Sequence, residues 1–104
     1  MNEISIPTVQ VEGVPEPLPE SVVVLDVREE NEWQGGHVDG AVHIPLGELP
    51  ARIDELPDGK QVLAICHVGG RSAQATGYLV QRGYDAVNLD GGMIAWQRAG
   101  RPVV

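Results

Sequence analysis

Seven consecutive residues, Cys66-His67-Val68-Gly69-Gly70-Arg71-Ser72, place a nucleophile, a glycine-rich turn and a permanent cation within one loop. A cysteine reacts as its thiolate, so its worth as a nucleophile depends on what lowers its pKa. The glycine pair lets successive backbone N–H groups turn inward on a common centre. A helix starting near Ser72 then adds unpaired donors with partial positive charge. Such a cradle stabilises an anion, either the thiolate itself or the oxyanion of a substrate, and Arg71 adds a charge that does not titrate away. Cys66 is therefore the candidate catalytic residue, and His67, Val68, Gly69, Gly70, Arg71 and Ser72 are the candidate substrate-binding residues. A plainer account, a buried cysteine at a strand end followed by glycines because the chain must turn, leaves Arg71-Ser72 unexplained.

The loop needs a strand before it and a helix after it, and the sequence supplies both. Gln61 to Cys66 (QVLAIC) reads as a strand buried on both faces, and a helix is expected from about Ser72 to Arg82, capped by Gly83. Ser21 to Val27 (SVVVLDV) is the best central strand, with Asp26 at its carboxyl end. Ala41 to Ile44 and Ala86 to Leu89 are shorter strands. Helices are expected over Glu29–Gln34, Glu48–Leu56 and Met93–Ala99. Residues 1–20 read as an amino-terminal edge strand, from the alternation of Ile4, Ile6, Val9 and Val11, and then a connector rich in proline that no helix crosses. Residues 21–104 carry the rest of what is a single domain overall. Strands alternating with helices predict a three-layer α/β domain with parallel strands and right-handed crossovers. Ligands of such sheets bind beyond the carboxyl ends of the strands, where Cys66 falls.

The 104 residues suffice for one core and not two. Hydrophobic residues at 42% and charged residues at 21% exclude disordered, collagen-like and coiled-coil readings. A single cysteine forbids an internal disulfide and a C-x-x-C redox pair, and leaves too few thiolates for a structural zinc or iron–sulfur site. The net charge of −8 argues against nucleic acid or an anionic membrane surface as a partner. That charge is uneven: residues 1–60 hold 13 Asp/Glu and 3 Lys/Arg, net −10, whereas residues 61–104 hold 2 and 4, net +2. No apolar run approaches the roughly 18 residues of a membrane span. With neither a basic cluster nor an apolar signal core after Met1, the expected location is cytoplasmic.

Spacing narrows the chemistry. Tyrosine phosphatases and the arsenate reductases related to them place five residues between their cysteine and arginine to ring a tetrahedral oxyanion, and here four separate Cys66 from Arg71. The sequence instead resembles the rhodanese family of sulfurtransferases. Asp26-Val27-Arg28-Glu29, Glu32-Trp33, Gly36-His37-Val38-Asp39-Gly40-Ala41 and His43-Ile44-Pro45 are similar to its amino-terminal signature. Cys66 to Ser72 is similar to its six-residue active loop and following helix. Leu89-Asp90-Gly91-Gly92, with Trp96, Ala99-Gly100 and Pro102, is similar to its carboxyl-terminal signature.

The resemblance implies a parallel five-stranded sheet flanked by helices, and transfer of a sulfane sulfur through a persulfide on Cys66. It implies a small anionic sulfur donor such as thiosulfate, a thiol or cyanide as acceptor, and a sulfur-accepting protein as a further candidate partner, with no metal or organic cofactor. The loop is not the Cys-Gly-Ser-Gly of mercaptopyruvate-specific relatives, so thiosulfate or a persulfide is the expected donor. His67 stands where many members carry a basic residue, which would make donor affinity depend on pH. A module of the same fold that carries sulfur or docks a partner without turnover is the competing reading.

The remaining polar and aromatic residues carry simpler expectations. Asp26 and Arg28 are read as a structural pair at a strand end. His37 and His43 match no metal-ligand spacing with Cys66. Trp33 and Trp96 are packing residues. The acidic run Glu29, Glu30 and Glu32 is read as a solvated helix face.

Overall fold

Uninterrupted apolar runs belong in the middle of a sheet, where both faces are covered. In the computed structural model, which describes residues 5–104, Val22–Asp26 (β2) and Gln61–Ile65 (β4) pair in parallel along their whole length, from Val22 opposite Gln61 to Asp26 opposite Ile65. Val42–His43 (β3) lies outside β2, and Ala86–Leu89 (β5) lies outside β4. Thr8–Val9 (β1) pairs with β5, giving five parallel strands in the order β1-β5-β4-β2-β3. The helices are Glu30–Gln34 (α1), Leu49–Arg52 (α2), Gly70–Gln81 (α3) and Gly92–Arg98 (α4).

Alternation along the central strands divides the core between the two sheet faces. Leu25, Val27 and Val62 join Leu49 of α2 and Ala75 and Leu79 of α3, and Cys66 belongs to this cluster. Val24, Leu63 and Ile65 join Met93 and Trp96 of α4 and the amino-terminal Val11 and Val14. Leu25 and Leu79 are wholly buried, each worth about 1.5–3 kcal/mol relative to exposure. Among the described residues no helix is long and apolar enough to cross a membrane.

The fold class read from the sequence holds, with local differences. The edge strand is only Thr8–Val9, and Ile4 lies outside the described residues. Val11 is not in a strand: with Gly13 it forms one 3-10 turn, which buries Val11 over the sheet face. The helix expected over Glu48–Leu56 is broken into a 3-10 turn at Leu46–Glu48, α2, and a second 3-10 turn at Ile53–Glu55. Pro50, the second residue of α2, lies in the first turn, where a residue lacking an N–H is tolerated. β4 stops at Ile65, one residue short of Cys66, and α3 starts at Gly70, two residues before the expected position.

Candidate active site

Cys66 leaves the carboxyl end of β4 and is 1% exposed. Three residues on, the backbone turns through Gly69 at φ +114°, a conformation that side chains rarely adopt. A β-carbon there would also press to 3.3 Å from the Gly91 nitrogen. The turn aims the Gly69 N–H back at the sulfur, 3.0 Å from Sγ. The Ser72 hydroxyl reaches Sγ at 3.3 Å from the first turn of α3.

Burial pushes the Cys66 thiol up. The Ser72 hydroxyl and the backbone amides of Ser72, Gly69 and Arg71 pull it down and outweigh burial, leaving the pKa below the ordinary thiol value. The start of α3 at Gly70 explains why so many donors converge. Arg71 and Ser72 lie inside the first helical turn, whose N–H groups have no partner within the helix.

Ser72 is fully buried and also donates to Asn88 Oδ1 on β5 at 2.6 Å. A hydroxyl has one hydrogen, so Ser72 serves either the amide oxygen or the sulfur. A neutral thiol can donate to Ser72 Oγ while Ser72 donates to Asn88. A thiolate needs the Ser72 hydrogen turned to itself. Asn88, 5% exposed, is a site residue that sequence reasoning missed. Its signal was a lone polar residue within the short apolar strand Ala86–Leu89.

The loop also has a floor. The N–H of Met93 donates to the Cys66 carbonyl at 2.8 Å, and that of Ile94 donates to the His67 carbonyl at 3.2 Å. This close approach needs Gly92, at φ +54°, because a β-carbon there would overlap the Cys66 carbonyl oxygen and lie 2.6 Å from that of His67. The Gly91-Gly92 pair was legible as a turn, but its seat beneath the cysteine loop was not.

Arg71 is not free over the sulfur. Its Nη1 and Nη2 donate to Glu32 Oε1 and Oε2 at 2.7 and 2.9 Å. Glu32 thus departs from the expected solvated acidic face. It is the third residue of the five-residue α1, where its Oε1 also accepts the Glu29 N–H at 3.0 Å, and this turns the carboxylate back across the helix start. The Arg71 hydrogen bonds hold the Glu32 carboxyl down to about 2, against partial burial. Glu29 and Glu30 remain exposed.

At the loop tip His67 and Gly70 are exposed, and Val68 is 59% exposed. Asp26 and Arg28 form a buried pair, with Arg28 Nη2 2.8 Å from Asp26 Oδ2 and 2.7 Å from the Gly36 carbonyl. Trp33 stacks with His37 and His43 at ring separations of 3.5 and 4.7 Å. Each imidazole also bonds a main-chain oxygen, His37 to Trp33 and His43 to Arg28. Among the described residues no group of three His, Cys, Asp or Glu is placed to hold a metal. A hollow of about 270 Å³, walled by Pro15, Leu18, Val38, Trp96 and Arg101 among others, includes no residue of the cysteine loop. The site is a cradle of donors around one buried sulfur atom, suited to attack on a small electrophile and to holding the anion that results.

Comparison with known proteins agrees with this architecture. The family model for the rhodanese-like domain matches residues 14–99. A sulfurtransferase of Allochromatium vinosum is 42% identical over 86 residues, covering 82% of this chain and 80% of that protein. The thiosulfate sulfurtransferase GlpE of Shewanella oneidensis is 35% identical over 80 residues, covering 76% and 79%. The crystal structure of a rhodanese-related protein from Thermoplasma volcanium superposes with a TM-score of 0.87 at 34% identity, covering 94% of this chain and 97% of that one.

Proposed function

The chain belongs to the rhodanese-like domain family, and from that premise we propose that it is a sulfurtransferase working through a persulfide on Cys66. The Cys66 thiolate attacks the outer sulfur of thiosulfate. The new S–S bond forms as the old one breaks, sulfite leaves with the bonding electron pair, and the enzyme keeps Cys66–S–S⁻. Cyanide or a thiolate then attacks the outer sulfur, and the Cys66 thiolate returns as leaving group. With a persulfide donor R–S–SH the first step is the same, and RS⁻ departs instead of sulfite.

The observation that carries this reading is the pair of donors on Sγ, the Gly69 N–H at 3.0 Å and the Ser72 hydroxyl at 3.3 Å. They stabilise negative charge where the thiolate and its leaving-group form must bear it. His67, Val68, Gly69, Gly70, Arg71 and Ser72, the residues that follow the cysteine in its loop, are assigned to binding the donor. The sequence has one cysteine, so the acceptor of the persulfide sulfur comes from outside. A free working thiol is suited to a reducing compartment, and we place the protein in the cytoplasm.

Val68, an exposed apolar residue two positions after Cys66, favours a second form of this reading in which the acceptor is another protein and the domain serves as a sulfur-carrying module.

Intact-protein mass spectrometry after incubation with thiosulfate tests the proposal. The wild type is expected to gain one sulfur atom, discharged by cyanide as thiocyanate, and Cys66→Ser is expected to gain none. A wild type that gains no sulfur from thiosulfate, glutathione persulfide or polysulfide overturns the enzymatic reading and leaves a binding module. A gain that persists in Cys66→Ser overturns the nucleophile.

A further inference from the structure

The cation of the loop is already occupied by a carboxylate of its own chain. Arg71 and Glu32 meet through two parallel N–H···O bonds of 2.7 and 2.9 Å, the geometry in which arginine binds a carboxylate most specifically. The Glu32 carboxylate is not loose, since Oε1 also holds the Glu29 N–H at 3.0 Å. The pair is partly open to solvent, with side chains 35% and 28% exposed, and Arg71 lies close enough to Cys66 for the two charges to interact. A dianion such as thiosulfate therefore meets a cation whose charge is cancelled at contact distance, with Glu29 adding further negative potential nearby.

We propose that Glu32 sets donor specificity: by holding Arg71 it discriminates against small dianionic donors and leaves the site best matched to alkyl persulfides whose organic part is uncharged. This rests on the sulfur-transfer reading of Cys66. In the favoured reaction the Cys66 thiolate takes the outer sulfur of R–S–SH and an RS⁻ thiolate departs, so no dianion has to be bound or released.

The test follows sulfur gain on Cys66 by rapid-quench mass spectrometry, over a concentration series of thiosulfate and of 2-hydroxyethyl persulfide. It compares wild type, Glu32→Gln, Arg71→Ala and the double variant. Glutamine keeps an acceptor for the Glu29 N–H, so α1 remains capped, and a thermal melt verifies the fold. Glu32→Gln is expected to lower the half-saturating thiosulfate concentration by about three- to fivefold, the scale of one half-exposed charge pair, while that for 2-hydroxyethyl persulfide stays within about twofold. In the Arg71→Ala background the same change is expected to leave thiosulfate loading within about twofold. Three results overturn the proposal: a thiosulfate value that is unchanged or raised in Glu32→Gln, an equal gain for both donors, or a gain that survives in Arg71→Ala and so reflects only net charge. A wild type that loads from neither donor marks the distinct failure of the sulfur-transfer reading, and this proposal falls with it.

Discussion

Gly92 and Cys66 meet backbone to backbone: no β-carbon fits between the Gly92 α-carbon and the Cys66 carbonyl oxygen, to which the next N–H, that of Met93, donates at 2.8 Å. Gly92→Ala is expected to cost at least about 2 kcal/mol, from a left-handed backbone and a forced shift of the loop. Gly59→Ala is the control. Gly59 has φ +76° but open space around it, so it should lose only about 1 kcal/mol. Urea melts of the two variants check the contrast, and equal losses would show that the close approach contributes nothing.

Ser72 and the loop amides hold the Cys66 pKa down against burial. Removing the hydroxyl should therefore raise it. In Ser72→Ala the pH midpoint for alkylation by iodoacetamide is expected to move to higher pH than in the wild type, with sulfur loading at neutral pH slowed in step. An unmoved midpoint would assign the lowered pKa to the backbone alone.

The Asp26–Arg28 pair is buried, with side chains 0% and 7% exposed. Asp26→Asn leaves the guanidinium buried with half its partners, and is expected to destabilise the fold by about 3 kcal/mol. Because Asp26 ends the strand beside β4, the loss should appear as global unfolding in a denaturant melt rather than as a selective loss of sulfur loading in the folded fraction.

Glu32 contributes an acid-sensitive share of stability. Its carboxyl lies near 2 when folded, against an ordinary 4.5. The folded state thus favours the ionised form, and the stabilisation is complete above about 4.5 and is lost as pH falls toward 2. Partial exposure limits it to about 1 kcal/mol or less. Urea midpoints at about pH 5 and about pH 3 should fall less in Glu32→Gln than in the wild type. An identical fall would place the acid sensitivity elsewhere.

What could be read in advance was what neighbours in sequence decide. The apolar runs around Val24 and Leu63 determine central strands, because they must be covered on both faces, and the glycines after Cys66 determine a turn. The partners of that turn come from far along the chain. Asn88 reaches Ser72 from β5, Gly92 comes up beneath Cys66, and Glu32 crosses from α1 to Arg71. Strand order and register bring these together, and no local spacing encodes them. Glu32 is the clearest case, since an acidic residue in the first turn of a short helix already has a sufficient local reason to be there.

The two hydrogen bonds that the start of α4 gives to the Cys66 and His67 carbonyls hold the main chain of the cysteine from a second direction. The sulfur takes its own donors from Gly69 and Ser72, in the loop and α3. Cys66 is thus clamped by elements that lie far apart in the sequence. An anion forming at the sulfur meets donors already aimed, and no rearrangement of the loop backbone has to accompany the change in charge.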